Sequence, residues 1–237
     1  MDKLYIVMPA YNEAENIESV VCSWYSVLEG KNENSKIIVA DSESTDNTHD
    51  ILLKLQERYP KLIILSNTGK QHGQKLLALY DYAIKNGADY IFQTDSDGQT
   101  NPAEFERFWE LREKYDAILG NRPSRGDGKS REIVERVLCK ILFVYFKVYI
   151  PDANAPFRLM KSLLVEQYLK NLPMDYNLPN VMLTTYFVYY REKVVFEDIT
   201  FKPRQAGVNS INIPKIIKIG WKSLFDFFQL KKRMRNR

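Results

Sequence analysis

Cysteine is scarce: the 237 residues hold two, Cys22 and Cys139. Neither lies in a CxxC pair, so no disulfide scaffold is expected and a reducing, cytoplasmic compartment is. No stretch reaches the roughly 18–20 uncharged apolar residues of a membrane-spanning helix. The opening MDKLYIVMPAYNE breaks at Pro9 into charge without a small-residue cleavage site, and is not read as a signal peptide. Glycine is thin as well. Gly69 and Gly73 do not make GxGxxG and no GxxxxGK[ST] exists, so dinucleotide and P-loop readings fail. His49 and His72 have no metal-ligand spacing and read as surface or core residues. The net charge of +4 is concentrated in the last seven residues, which carry five basic side chains and no acid. The rest is slightly acidic, which argues against a nucleic-acid groove.

What is present is an ordinary soluble composition, 45% hydrophobic and 27% charged, and that excludes global disorder, a collagen-like fibre and a coiled-coil rod. Short apolar runs at Leu4–Met8, Ile37–Ala40, Leu62–Leu65 and Tyr90–Phe92 alternate with helical spacing over 13–28, 48–59 and 74–85. That order predicts an α/β fold with a mainly parallel central sheet covered by helices on both faces. Beyond residue 95 the pattern loosens: a helix over 102–114, strands over 116–120, 156–160 and 194–201, and helices over 132–150, 163–169, 181–190 and 214–230. A polar loop over 121–130 is long enough to be functional. With no repeat or linker, one unit is expected: a main domain over 1–210, with an amphipathic helix and basic tail over 211–237.

In open α/β sheets ligands bind beyond the carboxyl ends of the strands. Three acidic segments follow predicted strands there: Pro9-Ala10-Tyr11-Asn12-Glu13, Asp41-Ser42-Glu43-Ser44-Thr45-Asp46 and Asp95-Ser96-Asp97-Gly98-Gln99. Acidic strand ends without a glycine-rich phosphate cradle suggest a nucleotide bridged by a hard divalent ion, Mg²⁺ or Mn²⁺. Asp95-x-Asp97 is the sharpest feature, because two carboxylates just past a strand can converge on one ion.

The segments "IVMPAYNE", "IIVADSESTDNT" and "FQTDSDGQTNP" resemble the signatures of family 2 glycosyltransferases. The resemblance continues through "YDAILGNR", "DANAPFRLMK" and "ITFKPRQAG", covering roughly residues 3 to 210, and most resembles the polyprenyl-phosphate sugar transferase branch. It implies a GT-A fold with C-terminal amphipathic helices. By the same resemblance Pro9, Ala10, Tyr11, Glu13 and Ser96 would line a nucleotide sugar and Asp41 would hold the base edge. Asp95 would face ribose or metal, Asp97 with Gln99 would ligate the metal, and Arg122 and Arg204 would meet phosphates. Arg158 would brace the site, with the acceptor side as its possible position. The chain departs from the family pattern at Asp41-Ser42-Glu43-Ser44, against "DDGS", and at Ala155-Pro156-Phe157-Arg158, against "SGFR".

Plainer readings stand beside these. Tyr11 can cap a loop, Glu13 can be a solvated first-turn acid, Arg158 can be structural, and Ser44 and Thr45 suffice as helix N-caps. The aromatic residues between 143 and 228 read mainly as core. A phosphate acceptor arrives anionic, whereas a hydroxyl needs a general base, for which Asp175 is the nearby candidate. The expected reaction is inverting transfer to a lipid phosphate. The alternatives are transfer to a saccharide hydroxyl and a non-catalytic nucleotide-sugar-binding scaffold. Arg136, Lys140 and Lys147 on one predicted helix, and Lys215, Lys218 and Lys222 on another, accompany apolar faces. With the basic tail they suggest peripheral binding to the cytoplasmic face of an anionic membrane.

Overall fold

The computed structural model describes residues 1–124, 128–204 and 225–232, the side chains of Lys129 and Ser130 excepted. The helix expected over 214–230 and the basic tail therefore fall largely outside the described residues.

The first apolar run forms β1 (Leu4–Ala10), and the alternation continues through α1 (Ile17–Tyr25), β2 (Lys36–Asp41), α2 (Thr48–Arg58), β3 (Leu62–Leu65), α3 (His72–Lys85) and β4 (Tyr90–Thr94). The second half adds α4 (Phe105–Leu111), β5 (Ala117–Asn121), α5 (Lys129–Phe146), β6 (Phe157–Lys161), α6 (Ser162–Leu169), α7 (Pro179–Tyr189) and β7 (Val194–Asp198). The strands form one seven-stranded sheet in the order β3-β2-β1-β4-β6-β5-β7. All neighbours run parallel except β6, which is antiparallel to both β4 and β5. All seven expected strands are present.

Successive residues of β1 point to opposite faces, and each face has its own core. Tyr5 and Val7 pack with Ile38, α3, α6, α7 and the end of α5. Leu4, Ile6 and Met8 pack with Ile37, Val39, α1, α2 and α4. Burial on both faces is why these strands read as continuous apolar runs rather than alternating ones. Trp24 anchors the second core, 1% exposed, with ring centroids of Phe92 at 5.1 Å, Phe157 at 5.9 Å and Phe105 at 6.5 Å. At the start of α3, a side chain on Gly73 would meet the Tyr176 carbonyl at 2.2 Å, so only glycine admits that approach.

Some boundaries differ from expectation. The helix expected over 132–150 is α5, ending at Phe146 with Lys147 at φ 60°. The β-branched Val148 and Ile150 and then Pro151 oppose continuation. Arg136, Val137, Lys140, Phe143, Val144 and Lys147 are exposed together, so basic and apolar residues share one outward stripe rather than opposite faces. In a last helix, α8 (225–232), Phe227 and Leu230 are buried against the core while Phe225 and Phe228 are exposed. β7 stops at Asp198, short of Phe201.

The aromatic core predicts its own cost of disruption. Trp24→Ala is expected to lower unfolding free energy by about 3–5 kcal/mol in urea titrations. Phe143→Ala, at a position 52% exposed, should change it by less than about 0.5 kcal/mol. Equal effects would contradict this packing.

Candidate active site

The sheet reverses its winding between β1 and β4, and a topological switch point opens a crevice at the strand ends. The acidic segments after β1 and β4 line a cleft of about 840 Å³ there, within the range of small-molecule and cofactor sites.

The loops after β1 and β2 are laced together. Asn12, at φ 55°, donates its backbone N–H to Ser44 Oγ (3.0 Å) and accepts the Thr45 N–H on Oδ1 (2.7 Å). Glu13 N–H donates to Thr48 Oγ1 (2.8 Å) and Ala14 N–H to Asp46 Oδ2 (3.1 Å). Ser44 and Thr45 are therefore not N-caps. Ser44 donates to Asp41 (2.5 Å), and it is Asp46 that accepts the first N–H of α2, from Thr48 at 3.0 Å. Asp41 is 2% exposed, held by Ser44 and by His49 Nδ1 at 3.0 Å. Asp46, from the same segment, lines the cleft wall. His49 thus has a carboxylate partner, and His72 lines the cleft.

After β4, Ser96 donates to the Pro9 carbonyl (2.8 Å), tying that loop to the end of β1. Gly98 turns the chain at φ 75°, and Gln99 N–H closes onto Asp97 Oδ1 at 3.1 Å. Gln99 exchanges two bonds with Lys202: its Nε2 donates to the Lys202 carbonyl (2.7 Å), and Lys202 N–H donates to the Gln99 carbonyl (2.9 Å). The amide nitrogen of Gln99 is thereby committed to positioning the segment that carries Arg204. Arg204 grips Glu13 at 2.6 and 2.7 Å and stands 3.8 Å from Asp97. Glu13 is buried and also accepts from Asn16 (2.8 Å), so it is not a solvated first-turn acid.

On the opposite wall Arg122 is clamped by Asp152, Nε to Oδ2 at 2.7 Å and NH2 to Oδ1 at 2.9 Å, with the Phe201 ring 4.9 Å away. Such a fork fixes the guanidinium plane. Arg158 is 0% exposed and donates to the carbonyls of Ala153, Ala155 and Asn180 and to Thr184 Oγ1. It lies beneath the site and does not line the cleft, which corrects the acceptor-side position and leaves a bracing one. Asp175 is exposed and not part of the cleft wall. Of the aromatic residues after 143, Phe146, Phe157, Tyr168, Tyr186 and Phe187 are core, and Phe201 lines the cleft.

Sequence reasoning missed several residues. Asp152 opens the "DANAPFR" segment already singled out, so its signal was available. Gln93 and Asn180 were not: Tyr80 donates to Asn180 (2.6 Å), Asn180 to Gln93 (2.9 Å) and Gln93 to Asp95 (3.2 Å). This relay orients Asp95 from within the core. Lys75, a lysine inside an apolar helix face, was missed as well.

Electrostatically the cleft is strained. Burial, then repulsion from Glu13, pushes the Asp95 carboxyl up to about 6. Burial, then repulsion from Asp95, pushes Asp97 up to about 6, and burial raises Glu13. Two desolvated carboxylates, each raised further by a neighbouring carboxylate, suit a hard divalent cation, and Asp95 and Asp97 are the groups that would hold it. Among the described residues no cluster of three His, Cys, Asp or Glu side chains could hold a metal.

Residues 5–169 match the family model for glycosyl transferase family 2. An undecaprenyl-phosphate 4-deoxy-4-formamido-L-arabinose transferase of Photorhabdus laumondii is 22% identical over 218 residues, 92% of this chain and 65% of the relative. An uncharacterised glycosyltransferase of Synechocystis is 29% identical over 232 residues, 95% of this chain and 69% of the relative. The chain thus spans about two thirds of the length of these relatives, and just under that for the first. Glucosyl-3-phosphoglycerate synthase of Mycobacterium tuberculosis shares the fold at a TM-score of 0.70 and 16% identity, covering 97% of this chain and 80% of that one. The same enzyme has been solved with Mn²⁺, UDP-glucose and glycerol 3-phosphate, and that complex matches at a TM-score of 0.70 and 17% identity.

The raised carboxylates predict a pH-dependent stability change. A folded-state pKa above the unfolded value disfavours the ionised form, so the penalty is absent below about pH 4 and complete above about pH 6. Asp97→Asn in metal-free buffer should raise the melting temperature at pH 8 and lose that advantage near pH 4. A lower melting temperature at pH 8 would mean that the Arg204 contact outweighs desolvation.

Proposed function

Because the chain belongs to glycosyl transferase family 2, we propose that it moves a sugar from a nucleotide-diphosphate sugar to a polyprenyl-type lipid phosphate. The observation that carries this reading is the meeting, in one cleft, of Asp95 and Asp97 with the guanidinium groups of Arg204 and Arg122. The first group suits a metal and the second suits phosphate oxygens. The relative named as an undecaprenyl-phosphate transferase supports the acceptor class. The neighbour solved with Mn²⁺ and UDP-glucose supports the donor class and a divalent cofactor, Mn²⁺ or Mg²⁺.

Each residue has a task in this reading. Tyr11, half-buried at the cleft wall, offers a ring face to the base, with the Pro9–Ala10 backbone and Ser96 shaping the floor beside it. Arg122, fixed by Asp152, and Arg204, on its Gln99-anchored segment, meet the phosphates. A divalent cation held by Asp95 and Asp97 would supply Lewis-acid neutralisation of a departing diphosphate. An oxygen of the lipid phosphate attacks the anomeric carbon from the face opposite the leaving group. The bond from that carbon to the diphosphate oxygen breaks with its electron pair going to the diphosphate, and configuration inverts. The nucleophile is already anionic, so no base is required, in keeping with Asp175 standing off the cleft.

The test is a thermal-shift panel of UDP-, GDP- and dTDP-sugars with Mn²⁺, followed by transfer of radiolabelled sugar to a polyprenyl phosphate. One donor should stabilise the protein, and label should enter the solvent-extractable lipid. Asp97→Ala should abolish transfer and remove the Mn²⁺ dependence of nucleotide binding while the protein stays folded. Label retained in an aqueous saccharide would replace the acceptor class, and donor binding without any transfer would favour the scaffold reading.

A lipid acceptor brings the protein to a membrane. None of the described helices is long and apolar enough to cross one. Contact at the surface is supported by Ile133, Val137 and Val144, 61%, 50% and 61% exposed on α5, interleaved with Arg136 and Lys140. Apolar insertion plus basic attraction is the two-part signal of peripheral binding. Val137→Glu with Val144→Glu should cut co-sedimentation with anionic vesicles severalfold at moderate salt and leave binding of a water-soluble nucleotide unchanged. Undiminished pelleting would remove α5 as the contact.

A further inference from the structure

Lys75 is a buried cation that the functions above do not use. It sits in the first turns of α3, 1% exposed, and its Nζ donates to the Ala10 carbonyl at 2.5 Å and the Ser42 carbonyl at 2.9 Å. Those carbonyls lie at the adjoining ends of β1 and β2, where Ala10 pairs with Asp41 and the ladder stops. The ammonium therefore clamps two parallel strands where their own hydrogen bonding ends. It also lies 5.1 Å from the centre of the Tyr11 ring, and Lys75 lines the cleft.

Both hydrogen-bond partners are neutral. Among the described residues no carboxylate comes within ion-pair distance of Lys75. A buried charge without a counter-ion is costly, and a neutral donor could clamp two carbonyls without that cost. The positive charge therefore calls for an explanation beyond the clamp.

We propose that Lys75 is a positioning residue for the nucleotide: its ammonium sets the two strand-end loops and the Tyr11 ring, and a bound nucleoside diphosphate supplies the close ion-pair partner that it lacks among the described residues. This rests on the nucleotide-sugar reading above.

The groups around Lys75 define its titration. Asp41 and Glu43, at and after the end of β2, favour the ammonium; Lys70, in the loop before α3, opposes it; Tyr11 faces it from the loop after β1. His72 lies on its own helix, and Glu13, Asp95 and Asp97 line the same cleft. Burial dominates and brings the ammonium down to about 8. An anionic ligand favours the protonated form, so affinity is full below that pH and falls as pH rises through it. The loss is about tenfold for each unit by which the bound nucleotide raises the lysine pKa.

The experiment measures dissociation constants of UDP, GDP and dTDP by calorimetry with Mg²⁺ present between pH 6.5 and 9.5, for wild type, Lys75→Arg and Lys75→Met. Circular dichroism and melting curves verify folding, and ratios to wild type cancel the nucleotides' own titrations. Wild-type affinity should fall between pH 7.5 and 9, Lys75→Arg should bind without that fall, and Lys75→Met should bind weakly at every pH. Superimposable pH profiles for all three proteins overturn the proposal, as does a flat wild-type profile from pH 7.5 to 9, which needs no variant. Failure of wild type to bind any of the three nucleotides at any pH defeats the donor reading itself, and the proposal with it.

Discussion

Three carboxylates, Glu13, Asp95 and Asp97, are brought by two neighbouring strand ends into a space poor in water, and much of the surrounding architecture answers their repulsion. Arg204 comes from the far end of the described main body, 191 residues from Glu13, to grip that carboxylate and stand beside Asp97. Gln99 holds the Arg204 segment in place from the same loop that carries Asp97. Gln93, Asn180 and Tyr80 form a neutral chain that orients Asp95 from the core side. A buried polar network of this kind specifies one arrangement when every member is satisfied. Such strain is a common mark of sites built to receive charge.

The two sides of the cleft differ in character. On one side the loops after β1 and β2 are bound by side chain to backbone hydrogen bonds, with Lys75 beneath them. On the other, Arg122 is rigidly forked by Asp152 and stands 4.0 Å from Glu135 of α5. Rigidity on one wall suits recognition of a fixed nucleotide. The contact with Glu135 ties the other wall to α5, whose exposed stripe mixes apolar and basic residues.

The sheet was legible because burial on both faces leaves an unmistakable mark, uninterrupted β-branched and aliphatic runs between amphipathic helices. The acidic strand ends were legible for a similar reason: Asp95-x-Asp97 is local in sequence, and so is Pro9 to Glu13. What could not be read is non-local. Nothing near Asp41 says that Ser44 and His49 will both engage it, and nothing near Arg158 says that three carbonyls and a hydroxyl await it in the interior. Lys75 was hidden by the opposite effect, since a lysine among inward leucines reads as a residue that will snorkel to solvent. The end of α5 was misplaced because apolar spacing continues past Phe146, while Val148, Ile150 and Pro151 stop the helix locally.

The reversed strand β6 also governs the order in which the molecule can come together. Its partner β4 ends at Thr94, yet β6 begins at Phe157, so half of the sheet's central pairing waits for more than sixty intervening residues. During synthesis from the amino terminus, β1 to β4 can pair with their helices while the edge of β4 stays bare. Closing that edge demands a long loop, the kind of contact that slows folding. Arg122, Asp152 and Arg204 all arrive with or after that closure. A nascent chain therefore acquires its acidic strand ends well before the cations that balance them, and the cleft becomes electrically complete only when nearly all of the described chain has emerged.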